Sequence, residues 1–207
     1  MIIGFFCLDA AAQKSNAALH KGNELYKQKN YEASQQEYSK ALTTDPKNAT
    51  ANYNNGNAQF RGNKPDDAIQ SYDNTINNSN DKPVRQKAFY NKGVALSKQQ
   101  KLQESIDAWK EALKLDANDN EARENLQKAL MELKKQQEQK QNEDKEKKDK
   151  KDDKKQKEQE QKPQQQQSKL NKQQVEQLLK ALQQKEKEIQ QKLQKGNPQP
   201  NKPEKDW

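Results

Sequence analysis

Cysteine and histidine are almost absent from this sequence of 207 residues, which contains only Cys7 and His20. A disulfide needs two cysteines, structural zinc sites need several Cys and His ligands, and most nucleophilic triads need a histidine base. Catalysis would therefore have to use carboxylates and lysines alone, and no cluster of residues suited to chemistry is apparent. We expect a protein that is not an enzyme and that needs no cofactor or metal.

Apolar residues are also scarce and unevenly placed. They make up 29% of the chain, against 34% charged residues, and the mean hydropathy is -1.58. Aromatic side chains occur from Phe5 to Trp109 and then not again until Trp207. Such a chain cannot bury one core along its whole length, so we expect the folded part to end near residue 135. After residue 12, no segment of the chain approaches the roughly twenty apolar residues of a transmembrane helix.

Positive charge exceeds negative charge by eight, yet no region of the chain is a polycation. Residues 1–135 contain 20 Lys and Arg and 17 Asp and Glu, and residues 136–207 contain 19 Lys and Arg and 14 Asp and Glu. Only three of the basic residues are arginines. A nucleic-acid-binding surface needs a basic patch that follows the phosphates, so we expect no nucleic-acid partner.

The first twelve residues, MIIGFFCLDAAA, resemble the end of a secretory signal. A short apolar run leads to three alanines, as before a signal cleavage site, although the basic start of a signal is missing. We interpret residues 1–12 as a truncated signal-like segment, which predicts export to the periplasm, either free or at the surface of the inner membrane. If the segment is not a signal, the expected location is the cytoplasm.

Three glycines in similar settings reveal an internal repeat. Their spacings are 34 and 37 residues, and a bulky aromatic residue follows each of them after sixteen positions; the pairs are Gly22 with Tyr38, Gly56 with Tyr72, and Gly93 with Trp109. A period of about 34 residues is typical of helix pairs stacked into a solenoid. The glycines would let the two helices of a pair approach, and the aromatic rings would fill the space between one pair and the next.

This pattern resembles the tetratricopeptide-repeat family over about half of the chain. The resemblance implies an all-α solenoid of three helix pairs, at residues 15–48, 49–82 and 86–118, closed by a capping helix at 119–135. A helix pair cannot bury its apolar face alone, which is why a cap is needed. Because repeats of this family bind other proteins, we expect a protein-protein interaction scaffold.

In this family the first helix of each pair lines a concave groove for a partner's peptide. Carried over position by position, the resemblance places Leu19, His20, Val94 and Lys98 on this face together with ten residues that we predict to form the binding site: Asn23, Tyr26, Tyr53, Asn54, Asn57, Phe60, Arg61, Lys87, Tyr90 and Asn91. Asparagine amides offer donors and acceptors to a peptide backbone, and tyrosines offer rigid contact area.

Some members of the family grip a C-terminal carboxylate with five polar residues. Asn23, Asn54 and Lys87 match that clamp, whereas Leu19 and Asn91 stand where a lysine and an arginine are expected. Two of the cations that would hold a carboxylate are therefore missing. General peptide binding is the interpretation that we prefer, with carboxylate capture as the alternative.

The sequence changes character after the cap. Residues 136–167 consist almost wholly of Lys, Gln, Glu and Asp and predict a linker, either disordered or a single charged helix that continues the cap. Residues 168–195 carry apolar side chains at helical spacing and predict an amphipathic helix, which docks back on the repeats, stays frayed or enters a groove on another protein. Residues 196–207, with three prolines, predict a disordered tail.

The order of these segments is similar to that in the tetratricopeptide members of the Bacteroides aerotolerance (Bat) group. This resemblance implies an envelope component of a system for oxygen tolerance or stress, with membrane-anchored von Willebrand factor A-type Bat proteins as partners. The alternative function is a periplasmic chaperone-like holdase for unfolded clients, with the polar tail as a solubiliser.

Overall fold

A computed structural model describes residues 4–152 and 170–195, with side chains described within 13–143 and 170–192. The chain divides into two compact units, Met1–Leu133 and Lys134–Trp207, which are described separately. The described residues form eight helices and no strand: α1 (Gly4–Lys27), α2 (Tyr31–Thr44), α3 (Ala49–Arg61), α4 (Pro65–Asn78), α5 (Lys82–Lys98), α6 (Leu102–Leu115), α7 (Asn120–Asp152) and α8 (Lys172–Lys195).

Short polar side chains begin several of these helices. The side-chain oxygens of Asn30, Asn48 and Asp81 accept a hydrogen bond from the backbone N–H three residues on, at 3.4, 2.9 and 3.4 Å. Asp119 does the same for α7 at 2.9 Å. These caps satisfy N–H groups that have no partner within the helix. Pro65 occupies the start of α4, where its missing N–H removes no helical bond.

The two helices of each pair are joined by a turn that contains one left-handed residue. Lys29, Asn63 and Gln100 have φ angles of 62°, 61° and 63°. A residue other than glycine adopts this region of φ/ψ space at a cost in free energy. Because the same conformation recurs at three equivalent turns, we infer that the packing of the helices imposes it on each pair.

An aromatic ring covers each of the three repeat glycines. The ring comes from the second helix of the same pair and is at most 3% exposed. A Cβ atom added to the glycine would lie 2.5, 2.7 and 2.5 Å from the nearest ring atom; the pairs are Gly22 with Tyr38, Gly56 with Tyr72, and Gly93 with Trp109. Only glycine therefore permits this separation of the paired helices.

The ring of Tyr72 also packs against the next helix pair. It forms a buried cluster with Ala68 of its own helix and with Ala88 and Ala95 of α5. The predicted role of the aromatic residues between pairs therefore holds for Tyr72. The ring of Tyr72 also covers Gly56 of its own pair, a second role that could not be predicted from the sequence.

In the second unit, the continuation of α7 runs antiparallel to the start of α8. Three polar contacts join them: Lys134 Nζ to Glu176 Oε1 at 3.3 Å, Lys172 Nζ to Glu138 Oε1 at 3.6 Å, and Gln137 Nε2, which donates to the Leu170 carbonyl, at 3.0 Å. Val175 of α8 is fully buried. The start of the predicted amphipathic helix thus contacts its own chain.

Several predicted boundaries fall within longer helices. α1 begins at Gly4, so most of the predicted signal-like segment is helical and continuous with the first repeat. The assignment of residues 1–12 as a signal stays a prediction. α7 continues to Asp152, so up to that residue the predicted linker takes its charged-helix alternative. The rest of the linker, and the tail 196–207, lie outside the described residues. Within the described ranges, no helix has an apolar stretch long enough to cross a bilayer.

Candidate functional site

Two neighbouring cavities run along the face formed by α1, α3 and α5. Their volumes are about 250 and 300 Å³. Tyr26 and Asn57 line both cavities, so together they form one groove, called the asparagine groove below. The other lining residues are Asn23, Lys27, Tyr38 and Asn54 in the first cavity, and Phe60, Arg61, Tyr72, Tyr90, Asn91 and Val94 in the second.

Asparagine amides join successive helix pairs across this groove. Asn54 Nδ2 donates to Asn23 Oδ1 at 2.9 Å, and Asn91 Nδ2 donates to Asn57 Oδ1 at 2.9 Å. Asn91 Nδ2 also donates to the hydroxyl of Tyr53 at 3.1 Å. Each bond links the first helix of one pair to the first helix of the next. These amides therefore hold the groove together as well as line it.

The carbonyl oxygens of Asn23 and Asn57 are saturated by bonds from within the protein. The hydroxyl of Tyr38 donates to Asn23 Oδ1 at 2.8 Å, and that of Tyr72 donates to Asn57 Oδ1 at 2.9 Å. Together with the bonds between pairs, each oxygen accepts two hydrogen bonds, which is the capacity of an amide oxygen. What these two side chains can offer a ligand is therefore N–H groups, and the amide of Asn57 also interacts with the hydroxyl of Tyr53 on the same helix.

The third helix pair departs from this pattern. Val94 stands where Asn23 and Asn57 stand in the first two pairs, and Trp109 donates through Nε1 to the backbone carbonyl of Tyr90 at 3.2 Å. The amide of Asn125 in α7 donates to the Tyr90 hydroxyl at 3.2 Å. The third pair consequently contributes no second asparagine to the groove, while Asn57, Arg61 and Asn91 keep the second cavity polar.

Cations stand along the edge of the groove. Lys27 and Arg61 are exposed lining residues. Lys98 Nζ lies 5.3 Å from the centre of the Phe60 ring and donates to Asn63 Oδ1 at 2.9 Å. An ammonium group over an aromatic face is attracted by the ring, which restrains this lysine. The edge of the groove therefore favours a ligand with negative charge.

Eight of the ten predicted groove residues line the two cavities: Asn23, Tyr26, Asn54, Asn57, Phe60, Arg61, Tyr90 and Asn91. Tyr53 is half-buried behind them and bonds to Asn91, with its ring centre 6.2 Å from that of Tyr72. Lys87 is exposed and lies outside the lining of both cavities.

The sequence analysis did not assign three of the lining residues: Lys27, Tyr38 and Tyr72. Signals for them exist in the sequence. Tyr38 and Tyr72 each follow a groove asparagine by fifteen residues, and Lys27 follows Asn23 by four, which places it on the same helix face.

Burial keeps four tyrosine hydroxyls of this region protonated. Burial raises the pKa of Tyr38 to about 12 and raises the pKa of Tyr72 well above its usual range. The pKa values of Tyr53 and Tyr90 are raised as well, with burial as the largest cause. The protonated hydroxyls of Tyr38 and Tyr72 donate to Asn23 and Asn57, whereas those of Tyr53 and Tyr90 accept from Asn91 and Asn125.

We expect the free energy of unfolding to fall as the pH rises above about 10, because tyrosines in the unfolded chain ionise there. In the folded protein Tyr38 keeps its proton up to about pH 12. Between these values the unfolded chain binds fewer protons, so the stabilisation is complete at lower pH and is lost as the pH rises. Urea unfolding at several alkaline pH values measures this loss, and Tyr72→Phe should reduce it. Ionisation of all six tyrosines of the folded protein near pH 10, with constant stability, would contradict the prediction.

Within the side chains that the structure describes, no three His, Cys, Asp or Glu residues lie close enough together to hold a metal ion. His20 is exposed, and its Nδ1 lies 3.4 Å from Glu24 Oε1. The arrangement offers hydrogen-bond donors, aromatic surface and cations to a ligand.

Comparison with known proteins identifies the repeats. The family profile described as "TPR repeat" matches residues 22–63, and the one described as "Tetratricopeptide repeat" matches residues 87–119. A curated relative, the DnaJ homolog subfamily C member 7 homolog of Schizosaccharomyces pombe, is 30% identical over 127 residues, which are 56% of this chain and 25% of the relative. The chain thus spans about a quarter of that relative's length.

Two solved structures have similar folds. The first tetratricopeptide domain of Spaghetti (RPAP3), bound to the HSP90 peptide SRMEEVD, is 30% identical with a TM-score of 0.55, over 59% of this chain and 94% of that one. The first such domain of human RPAP3 is 27% identical with a TM-score of 0.53, over the same shares of the two chains. Scaffolds of this kind are typically not enzymes. The chain is therefore a tetratricopeptide-repeat protein, with the all-α solenoid that its sequence predicted.

Proposed function

We propose that this protein is a scaffold that binds an extended, acidic peptide segment of a partner in the asparagine groove. The proposal depends chiefly on the saturated oxygens of Asn23 and Asn57, which leave amide N–H groups for the ligand. The backbone carbonyls of an extended peptide are acceptors that such donors can satisfy. Tyr26 and Tyr90 supply rigid contact area beside them.

The cations at the edge favour acidic side chains in the ligand. Lys27, Arg61 and Lys98 lie beside the groove, and the domain of Spaghetti (RPAP3) with 30% identity is bound to a peptide that contains two adjacent glutamates. Opposite charges across an interface speed association and select the partner. Lys87 lies outside the lining, so we propose recognition of an acidic segment that does not require a terminal carboxylate.

Calorimetric titration of the full chain with the peptide SRMEEVD tests this function. We expect the variant Tyr53→Ala with Asn54→Ala to bind roughly tenfold more weakly, because it removes aromatic support and one amide bridge. Asn74→Ala with Asn77→Ala, two exposed amides on α4, is the matched control and should bind as the parent does.

Two further peptides sharpen the same experiment. An amidated SRMEEVD should bind within about threefold of the free acid. A version with Gln for both glutamates and Asn for the aspartate should bind much more weakly. Binding that is lost on amidation would replace the proposal with carboxylate capture, and equal binding of all three peptides would contradict the role of charge.

We also propose that the protein works in the cell envelope, as a Bat component beside von Willebrand factor A-type partners. The order of its segments and the signal-like residues 1–12 support this proposal. Cell fractionation with sequencing of the mature N-terminus tests export. Co-purification with co-encoded von Willebrand-type proteins, weakened by the Tyr53 and Asn54 variant, tests the partnership. An intact N-terminus in the cytoplasm would contradict both.

The alternative, a holdase for unfolded clients, predicts a different result. A scaffold should leave the heat-induced aggregation of unrelated proteins unchanged, whereas a holdase should suppress the aggregation of many. Light scattering with a panel of three or more client proteins distinguishes the two. Broad suppression that is independent of the groove variants would contradict the scaffold function.

A further inference from the structure

A third cavity, of about 410 Å³, lies between α4, α5 and α6. It is larger than either part of the asparagine groove and shares no lining residue with it. We call it the α6 cleft. Its floor is apolar and consists of Ile69, Phe89, Leu96 and Ala108, and its edges carry Asp66, Lys92, Lys101, Glu104, Asp107 and Glu111.

The two lysines that line the α6 cleft each form an ion pair within the protein. Lys92 Nζ lies 2.6 Å from Asp73 Oδ1, and Lys101 Nζ lies 3.7 Å from Asp66 Oδ1. Four carboxylates and two lysines line the cleft, so its net charge is negative and disfavours an anionic ligand.

Three carboxylates remain along one side of the cleft. Glu104, Asp107 and Glu111 follow one another at i, i+3 and i+7 on α6, so they face the same side of the helix. Within the described part of the chain, Glu104 has no ion-pair partner. Asp107 and Glu111 pair with lysines three residues further along the same helix, at 3.8 and 2.5 Å. Exposed pairs of this kind are weak and give way to a better partner.

We propose that the α6 cleft is a second docking surface, which binds an amphipathic helix of a partner protein with large apolar side chains on one face and a row of Lys or Arg beside them. The apolar side chains would cover the half-buried Ile69 and Phe89, above the buried Leu96 and Ala108. The acidic row spans seven residues, or roughly 10 Å along α6, so cations at i, i+3 or i+4, and i+7 of the partner helix match it.

This proposal does not rest on the function proposed for the asparagine groove, because the two surfaces share no lining residue and attract opposite charges. It makes the protein an adaptor that can hold an acidic extended segment and a basic helix together.

Nuclear magnetic resonance titration of the full chain tests the second surface. The probe is a synthetic helical peptide of about 18 residues, with leucines on one face and lysines beside them in the spacing given above. Amide signals of Phe89, Leu96 and Ala108 should shift, and those of Asn57 and Tyr90 should not. Saturation with SRMEEVD should leave the affinity for this probe unchanged within about twofold.

The combined substitutions Glu104→Gln, Asp107→Asn and Glu111→Gln should weaken probe binding roughly tenfold. The matched control, Glu32→Gln, Glu124→Gln and Glu186→Gln, changes the net charge equally at exposed positions outside the lining of the cleft, and it should bind as the parent does. All six positions are surface carboxylates, so both variants should fold.

Three outcomes would overturn the proposal. The first is an equal loss of binding in the control variant. The second is equal binding of a scrambled peptide with the same composition. The third is concentration-dependent association of the chain alone with shifts at Phe89 and Leu96, which would identify a second copy as the occupant.

Discussion

Replacement of Trp109 by alanine is expected to lower the free energy of unfolding of the repeat unit by about 3–5 kcal/mol. The side chain is 3% exposed, and its Nε1 donates to the carbonyl of Tyr90 at 3.2 Å. Truncation removes the apolar surface, leaves a cavity over Gly93 and removes the donor of a partly buried hydrogen bond. Because the free energy of unfolding of a small domain is about 5–15 kcal/mol, this single substitution should remove a large part of the stability of the repeat unit.

The glycine beneath this ring allows a sharper test. In the parent, Gly93→Ala would place a Cβ atom 2.5 Å from Trp109 Nε1. Overpacking costs about 1–3 kcal/mol or more, whereas alanine adds about 1 kcal/mol of helix propensity, so we expect a net loss. In the Trp109→Ala background the clash is gone, and Gly93→Ala should become neutral or stabilising. Urea unfolding of the four proteins measures the change of sign.

Exposed Gly62 serves as a control for this cycle, because a Cβ atom there would meet Gln35 and the carbonyl oxygen of Ala58 first. Gly62→Ala should therefore have the same effect in both backgrounds. The same cost of Gly93→Ala with and without the indole would refute the role of Trp109 as the ring that sets the distance between α5 and α6.

Substitution of Asn57 by aspartate is expected to weaken binding of the acidic peptide roughly a hundredfold while the fold is retained. A carboxylate at this position can still accept the bonds from Tyr72 and Asn91, which lie at 2.9 Å each. It cannot donate, and it places a negative charge in the groove against an acidic ligand. The loss should thus appear in binding and not in stability.

Asn57→Ala should instead lower the free energy of unfolding. It removes the oxygen that accepts both bonds and leaves the hydroxyl of Tyr72, which is 1% exposed, without its acceptor, at a cost of about 1–3 kcal/mol of stability. Calorimetry and urea unfolding of both variants separate the two effects. If aspartate destabilised the protein as much as alanine, or bound the peptide as the parent does, the assignment of amide donors to the groove would be wrong.

The helix pairs could be predicted because their signals are local and periodic. Gly56 and Tyr72 repeat the setting of Gly22 and Tyr38. The caps at Asn30, Asn48 and Asp81 became apparent only in the structure. The left-handed turns at Lys29, Asn63 and Gln100 carry no glycine and gave no sequence signal. Their conformation follows from the packing of the helices that they join.

The candidate site could be predicted only in part. Helical spacing and the family resemblance brought eight lining residues together, because a helix presents a fixed face. The hydrogen bonds of their amides could not be predicted. Whether Asn23 and Asn57 present oxygen or nitrogen to a ligand depends on the hydroxyls of Tyr38 and Tyr72, which reach them from another helix. Composition and spacing do not contain that orientation.

The sequence by itself determined that this protein is a stack of helix pairs with a polar, charged continuation, because period and composition act along the chain. Only the tertiary structure decided what its surfaces offer. Contacts between helices saturate the asparagine oxygens, restrain Lys98 over Phe60, and gather an acidic row beside an apolar floor in the α6 cleft. These features need residues from different helices at fixed distances, and those distances are set by rings that pack on glycines.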